Sequence, residues 1–320
     1  MWLIFLCYLL MASTFTIAKT ALFYMQPVYF IAFRMIIAGI FLLSYLVLFK
    51  PAKLKYNRND IKLFLMIIIF HIYCAYILEF WALQYMKSAK VCLLYNLSPF
   101  ITAFLSYFLF KKTLSLKKWV ALIAGFASML PIIIAQSAAD TIAFGFGFLS
   151  LAEGALLLGI ASASYGWLVM KELVFTRKYS TLMVNGWGML IGGIACLITA
   201  FIVEGFHPFI LNSEPTDLFG AKLLPHLGIG TTSLVMAFGC MMSLILIANI
   251  IGYNLYASLL RQYSATFLSF AGFITPFFAS IFGWIFLKET LTAPFFISLF
   301  MTMISLYFFY QDELRDGSFS

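Results

Sequence analysis

The sequence is poor in charge. Only 10% of its 320 residues are Asp, Glu, Lys or Arg, whereas 64% are apolar and the mean hydropathy is +1.02. A soluble domain carries about 25% charged and about 45–50% apolar residues. No globular packing hides such an apolar excess behind a wettable surface. A soluble enzyme, a nucleic-acid-binding protein and a disordered regulator are thereby excluded, which leaves an integral membrane protein. Other features are missing too. The cysteines, at 7, 74, 92, 196 and 240, lie inside apolar runs without metal-ligand spacing, so neither disulfides nor a metal centre are expected. No Gly-rich loop ending in Lys-Ser/Thr is present, which argues against ATP-driven transport by this chain. No Thr-Val-Gly-Tyr-Gly filter is present, which argues against an ion channel. The histidines at 71, 207 and 226 are not grouped as the ligands or bases of a membrane-embedded enzyme would be. No cofactor is expected. The start, Met1-Trp2-Leu3, has no basic n-region and no small-residue cleavage pattern, so the first apolar run reads as a retained helix.

What the sequence does have is long apolar runs. A spanning helix needs roughly 20 apolar residues, whereas a barrel strand needs roughly 10 in strict alternation. The run from Phe30 to Phe49, with Arg34 as its single charge, does not alternate and reads as a helix. The runs and their polar breaks predict ten spans, at 2–22, 27–49, 61–86, 90–110 and 117–136, then 145–170, 182–204, 233–259, 264–287 and 292–310. The expected fold is therefore all-α, with ten transmembrane helices. The longest break, around 205–232, holds Pro208, Pro215 and Pro225 and is expected to carry a short interfacial helix.

The formal net charge of +8 is read as topology, because Lys and Arg concentrate beside spans on the cytoplasmic side. With a cytoplasmic N-terminus, the inside breaks hold Lys50, Lys53, Lys55, Arg58 and Lys62, then Lys111, Lys112, Lys117 and Lys118, then Lys171, Arg177 and Lys178, and finally Arg261 and Arg315. The outside breaks hold Lys19, Lys87, Lys90, Lys222 and Lys288, and Arg34 lies within a span. Fourteen against five is a clear positive-inside bias, which predicts that both termini are cytoplasmic.

The chain also repeats itself. Ser88-Ala89, Leu97-Ser98-Pro99-Phe100 and Lys111-Lys112-Thr113-Leu114-Ser115 return as Ser264-Ala265, Ile274-Thr275-Pro276-Phe277 and Lys288-Glu289-Thr290-Leu291-Thr292. From the proline onward the offset is constant at 177, while Ala82 maps to Ala257 at 175. Five spans per half is an odd number, so the second half must be inverted. Loop charges support this in three of four comparisons, the exception being Lys87 and Lys90 against Arg261. Residues 1–140 and 141–320 are thus expected as two inverted five-helix repeats, an architecture of secondary transporters that bind substrate near the bilayer midplane.

On these paired segments, with Phe15-x-x-x-Lys19 in the first span and Pro27 followed by Arg34 in the second, the chain resembles the drug/metabolite transporter superfamily, of the EamA-like type. The resemblance covers nearly the whole chain and implies ten helices carrying amino acids, their derivatives or other metabolites. Two departures are Lys112, where such proteins commonly have an acidic residue, and the long break around 205–232.

Ionisable residues inside spans cost about 2.5–3.5 kcal/mol on insertion scales, so each is a candidate for function. Arg34, Glu79 and Glu153 are expected at similar depth in the outer half of the membrane, Glu153 without an obvious basic partner. They are read as a substrate or proton site, with an internal Arg34–Glu79 ion pair as the alternative. Tyr76 and Phe80 share a helix face with Glu79, as Asn249, Tyr253 and Tyr256 share one on span 8. Tyr165 and Trp167 lie on span 6. A carboxylate beside aromatic faces suits a cationic or zwitterionic solute. His71 is read as a proton relay or a structural histidine. Ser13, Thr14 and Thr16 either line a cavity or bond back to their own helix. Gly188-x-x-x-Gly192 is read as close helix packing. Pro99 and Pro276 are expected to kink spans 4 and 9, as hinges or as static bends.

The function expected from these residues is a secondary carrier for a small polar metabolite in the cell's inner membrane. It would work as monomer or homodimer, with a proton or counter-substrate as co-transported species and no nucleic-acid partner. Ile, Phe, Tyr and Lys richness fits a host-dependent bacterium, and S-adenosylmethionine is one cationic solute that the acidic and aromatic positions suit. An efflux carrier and a nucleotide-sugar-type exchanger are the alternatives.

Overall fold

The computed structural model describes residues 2–54, 57–110, 116–128, 130–131, 145–146, 149–210, 229–252, 255–256, 259 and 272–315. Among these the chain is helical almost throughout, the exception being a two-residue antiparallel pairing of Gly145–Phe146 with Leu149–Ser150. Seven stretches are long and apolar enough to cross a membrane: Trp2–Ala21, Pro27–Phe49, Arg58–Tyr85, Ser88–Leu105, Leu151–Val174, Thr181–Val203 and Leu234–Gly252. Thr275–Leu287 and Ala293–Ser305 are apolar but shorter. Large apolar side chains stand outward on these helices, among them Leu48, Ile202, Trp284 and Phe300, as lipid-facing positions require. The fold is all-α and membrane-integral.

Helix ends follow local chemistry. Pro27 sits in the first turn of Pro27–Phe49, where its missing N–H is not needed. Thr181–Val203 stops at Glu204, and Gly205 turns the chain with φ +68°, a left-handed conformation that favours glycine. The two prolines expected to kink spans instead start helices. Span 4 is broken at Asn96–Leu97, and Pro99 lies in the first turn of Ser98–Phe110. Pro276 likewise opens Thr275–Leu287 behind the short 3₁₀ turn Gly272–Ile274. The proline ring excludes the carbonyl four residues back, and in the second case that Gly272 carbonyl accepts the Thr275 hydroxyl at 2.6 Å. Each proline thus follows a short non-α turn, and in the first case that turn lies within the apolar stretch Ser88–Leu105.

Span 3 is not one regular helix. Ile61–Met66 and Ala75–Tyr85 are α-helical, but Ile67–Cys74 between them winds as a π-helix. Ile245–Gly252 does the same at the end of the run that begins at Ile229. Both stretches are eight residues long, in spans that the sequence pairs as repeat counterparts.

The chain forms two compact units, and neither coincides with a sequence half. One comprises 1–19, 85–156 and 246–320, the other 20–84 and 157–245. In the second unit, Pro27–Phe49 lies against Thr181–Val203 through glycines. A Cβ on Gly39 would stand 2.6 Å from the Leu190 backbone, and one on Gly193 would stand 2.9 Å from the Ile36 backbone. Gly188 and Gly192 admit Ile67 and Ile72, so the small-residue motif is a packing motif. Tyr73 and Thr199 add a hydroxyl pair at 2.7 Å. In the first unit, Leu116–Ala127 packs on Ala293–Arg315, with the wholly buried hydroxyls of Ser128 and Thr302 joined at 2.8 Å. Interhelical hydrogen bonds of this kind are worth about 0.6 kcal/mol on average in membranes.

Candidate substrate site

Two polar clusters stand out, one in each unit. In the second unit, Arg34 on Pro27–Phe49 is 4% exposed and holds its guanidinium 5.5 Å from the Tyr76 ring centre. Four residues earlier on the same helix, Phe30 stacks on Phe80 at 5.7 Å, and Tyr76 lies 6.4 Å from Phe80. The i, i+4 spacing on both helices brings these four side chains into one row. Glu79, on the same Ala75–Tyr85 helix, is partly buried where Gly159 approaches its backbone. Arg34, Tyr76 and Glu79 therefore come from two neighbouring helices, and one neighbour of Arg34 is an aromatic face. Trp167 is 43% exposed and meets His71 edge-on.

In the first unit, the expectation for Glu153 is corrected. Its helix begins at Leu151, so Glu153 lies in the first turn and not eight residues deep. It has a basic partner: Lys90 Nζ stands 2.6 Å from Glu153 Oε1, and the two side chains are 1% and 0% exposed. Lys90 was counted among the outside loop cations, yet it lies inside Ser88–Tyr95 and is fully buried. Glu153 also accepts the Ser150 N–H at 2.7 Å, while Ser150 Oγ accepts the Glu153 N–H at 3.2 Å, a reciprocal capping box. The Ser150-x-x-Glu153 spacing is the sequence signal that identifies this cap.

Two further carboxylates act as helix caps that sequence reasoning missed. Glu289 accepts the Ser88 N–H at 2.7 Å, the Ser88 hydroxyl at 3.0 Å and the Ala89 N–H at 3.3 Å. Beside it, Lys87 Nζ donates to the Thr290 carbonyl and hydroxyl. Ser88-Ala89 of the first copy, with Lys87 before it, thus docks on Glu289-Thr290 of the second. Glu289 and Glu153 offset the unfavourable placing of a lysine near the positive end of the Ser88–Tyr95 helix. In the second unit, Glu204 accepts the Val28 and Tyr29 N–H groups at 2.9 and 3.1 Å and so caps Pro27–Phe49. Burial pushes the Glu204 carboxyl above its ordinary value, and these two N–H bonds pull it partly back.

The remaining candidates divide. Asn249 is 3% exposed within Ile245–Gly252, and Tyr253 lies outside the described residues. Ser13 and Thr14 donate to the Leu10 and Met11 carbonyls of their own helix. Among the described residues no group of three or more His, Cys, Asp or Glu could hold a metal. The interfacial helix expected around 205–232 falls largely outside the described residues.

A helical chain with several apolar stretches long enough to span a bilayer is a polytopic membrane protein. Over residues 1–134 and 150–311 it matches the EamA-like transporter family, and the chain belongs to that family. A relative from Chlamydia muridarum, named S-adenosylmethionine/S-adenosylhomocysteine transporter, is 31% identical over 317 residues, 99% of this chain and 93% of its own length. A relative of the same name from Chlamydia trachomatis serovar L2 is 30% identical over 99% of this chain and 90% of its own. A solved crystal structure, 15% identical, superposes with a TM-score of 0.55 over 99% of this chain and 98% of its own, which shows a shared fold.

Proposed function

We propose that this protein is a secondary carrier that exchanges S-adenosylmethionine and S-adenosylhomocysteine across the cell's inner membrane. The observation that carries this reading is the near-complete coverage at 30–31% identity by two relatives bearing that name. The carrier has ten spans in two inverted five-helix repeats, 1–140 and 141–320, and both termini are cytoplasmic. The constant repeat offset and the fourteen-to-five charge asymmetry support that topology.

The pair of solutes sharpens the site chemistry. Only S-adenosylmethionine carries the sulfonium, whereas both carry an aminocarboxylate and an adenosine. A site that takes both must read the shared groups first. Arg34 is suited to the carboxylate through its planar two-pronged donor set, and Tyr76 and Trp167 offer aromatic faces to the base. Glu79 is suited to the sulfonium. The buried Lys90–Glu153 pair supports the helix ends within its own unit.

Proteoliposomes loaded with S-adenosylhomocysteine are expected to take up labelled S-adenosylmethionine saturably, and empty vesicles far less. Glu79→Gln is expected to raise the half-saturating concentration for S-adenosylmethionine about 10- to 150-fold, the range for loss of one contact with a charged group, with little change for S-adenosylhomocysteine. Equal weakening of both solutes would remove the sulfonium role from Glu79, and absence of uptake in every arm would overturn the substrate.

The helix breaks at Pro99 and Pro276 are the proposed hinges of alternating access. Pro99→Ala or Pro276→Ala lets an α-helix run through the break. Exchange is expected to fall about tenfold at normal expression, as a hinge substitution changes rate through conformational steps. Unchanged exchange in both variants would make the breaks static.

A further inference from the structure

The two π-helical stretches share a detail. Each places a hydrogen-bonding residue at its fifth position, His71 in Ile67–Cys74 and Asn249 in Ile245–Gly252, and both are 3% exposed. π-Helical turns are rare and recur at functional positions. Of the two residues, only histidine titrates near neutrality.

The surroundings of His71 are those of a group without a settled structural job. Neither ring nitrogen makes a hydrogen bond of acceptable geometry, although the Ala163 carbonyl lies toward the ring. A histidine kept for packing satisfies its N–H when buried. The ring meets the Trp167 indole edge-on with centroids 4.8 Å apart. Gly166 approaches so closely that a Cβ there would stand 2.4 Å from His71 Cβ. The titratable groups on this stretch and the helices packed against it are Tyr165, whose hydroxyl donates to Met66 Sδ, Tyr73, bonded to Thr199, the thiols of Cys74 and Cys196, and Glu153 and Lys171 at the two ends of Leu151–Lys171. Among the described residues no ion pair includes His71.

We propose that His71 is the proton-binding group of this carrier, loaded at a ring nitrogen in conformations that open the Ile67–Cys74 stretch to water and unloaded in the conformation described here, where the ring is buried. The inference rests on the carrier reading above and adds a coupling ion to it. An imidazolium shut into this apolar shell lacks a counter-charge and is penalised, whereas the same group facing water is not. A proton that binds one conformation better than another biases the equilibrium between them, and by reciprocity the conformational change moves the proton. Asn249 keeps the polar position in the other repeat without titrating, so the carrier has one such proton site in this pair of stretches.

The first test needs no substrate. In a full-length chain retaining Trp167 as its only tryptophan, indole emission is expected to fall on acidification from pH 8 to 4, because a neighbouring imidazolium quenches the indole. His71→Gln is expected to abolish that titration. A flat response with His71 in place overturns the proposal. The second test imposes a pH gradient, acid outside, on empty proteoliposomes and follows labelled S-adenosylmethionine. The native chain is expected to take up several-fold more than without the gradient, and His71→Gln to bring that ratio to about one while exchange against internal S-adenosylhomocysteine persists. Full gradient response in His71→Gln also overturns the proposal. Loss of S-adenosylmethionine uptake in every arm sinks the substrate reading instead, and the tryptophan titration then decides the proton site by itself.

Discussion

Lys90→Ala and Glu153→Gln, made singly, are expected to give the largest loss of folded protein of any surface-distant substitutions in the chain. The two side chains are 1% and 0% exposed and 2.6 Å apart. Removing one partner strands the other charge, which typically costs about 3–5 kcal/mol. That is a large part of the ordinary folding stability of a domain, about 5–15 kcal/mol. The double variant Lys90→Met with Glu153→Gln removes both charges together and keeps the capping box, since glutamine serves in the same place. It should therefore recover most of the folded yield and thermal midpoint in detergent. A double variant as damaged as the single ones would mean that the pair is not an isolated balance of charges. Exchange measured on the recovered double variant separates scaffold from ligand: near-normal exchange confines Lys90 and Glu153 to the scaffold, whereas folded but inactive protein returns Glu153 to the substrate site.

Arg34→Ala is expected to abolish exchange while leaving a folded protein. Truncating one member of a buried charged contact at a binding site costs about 2–5 kcal/mol, or roughly 30- to several-thousand-fold in affinity. Arg34→Lys keeps the charge but loses the two-pronged donor geometry and the guanidinium contact with the Tyr76 ring, so it should rank next. Tyr76→Leu removes the ring that stands 5.5 Å from the guanidinium, worth about 0.5–2 kcal/mol. Tyr76→Phe keeps the ring and should stay close to native. The order is read from half-saturating concentrations in proteoliposomes at matched amounts of folded protein. Thermal midpoints that fell in the same order as exchange would show that Arg34 holds helices together instead of holding substrate.

Much of this was legible in the sequence. The starts and ends of most helices lie where apolar runs meet polar breaks, because bilayer crossing demands length and low charge and both are local properties. The row of Arg34, Tyr76 and Phe80 was partly legible, since spacing of three and four fixes a shared helix face. The Lys90–Glu153 pair was not. Lys90 follows Ser88-Ala89 near a break, and nothing local tells a loop cation from one drawn into a helix by a partner 63 positions away. The capping roles of Glu204 and Glu289 were hidden for the same reason. Each acts on N–H groups more than 170 positions away in sequence. The prolines were seen, but whether one bends a helix or begins a new one depends on the turn before it.

The scarcity of charge by itself determined that the chain lives in a bilayer, and its long non-alternating apolar runs determined that it is helical, because both follow from the cost of placing polar groups in hydrocarbon. The tertiary structure alone decided what the surviving charges do. Arg34 meets an aromatic face, Lys90 neutralises Glu153, and Glu204 and Glu289 close helix ends, while His71 is buried without a well-formed hydrogen bond. A buried charge is tolerable only with a partner, and partners are set by three-dimensional neighbours, not by order along the chain.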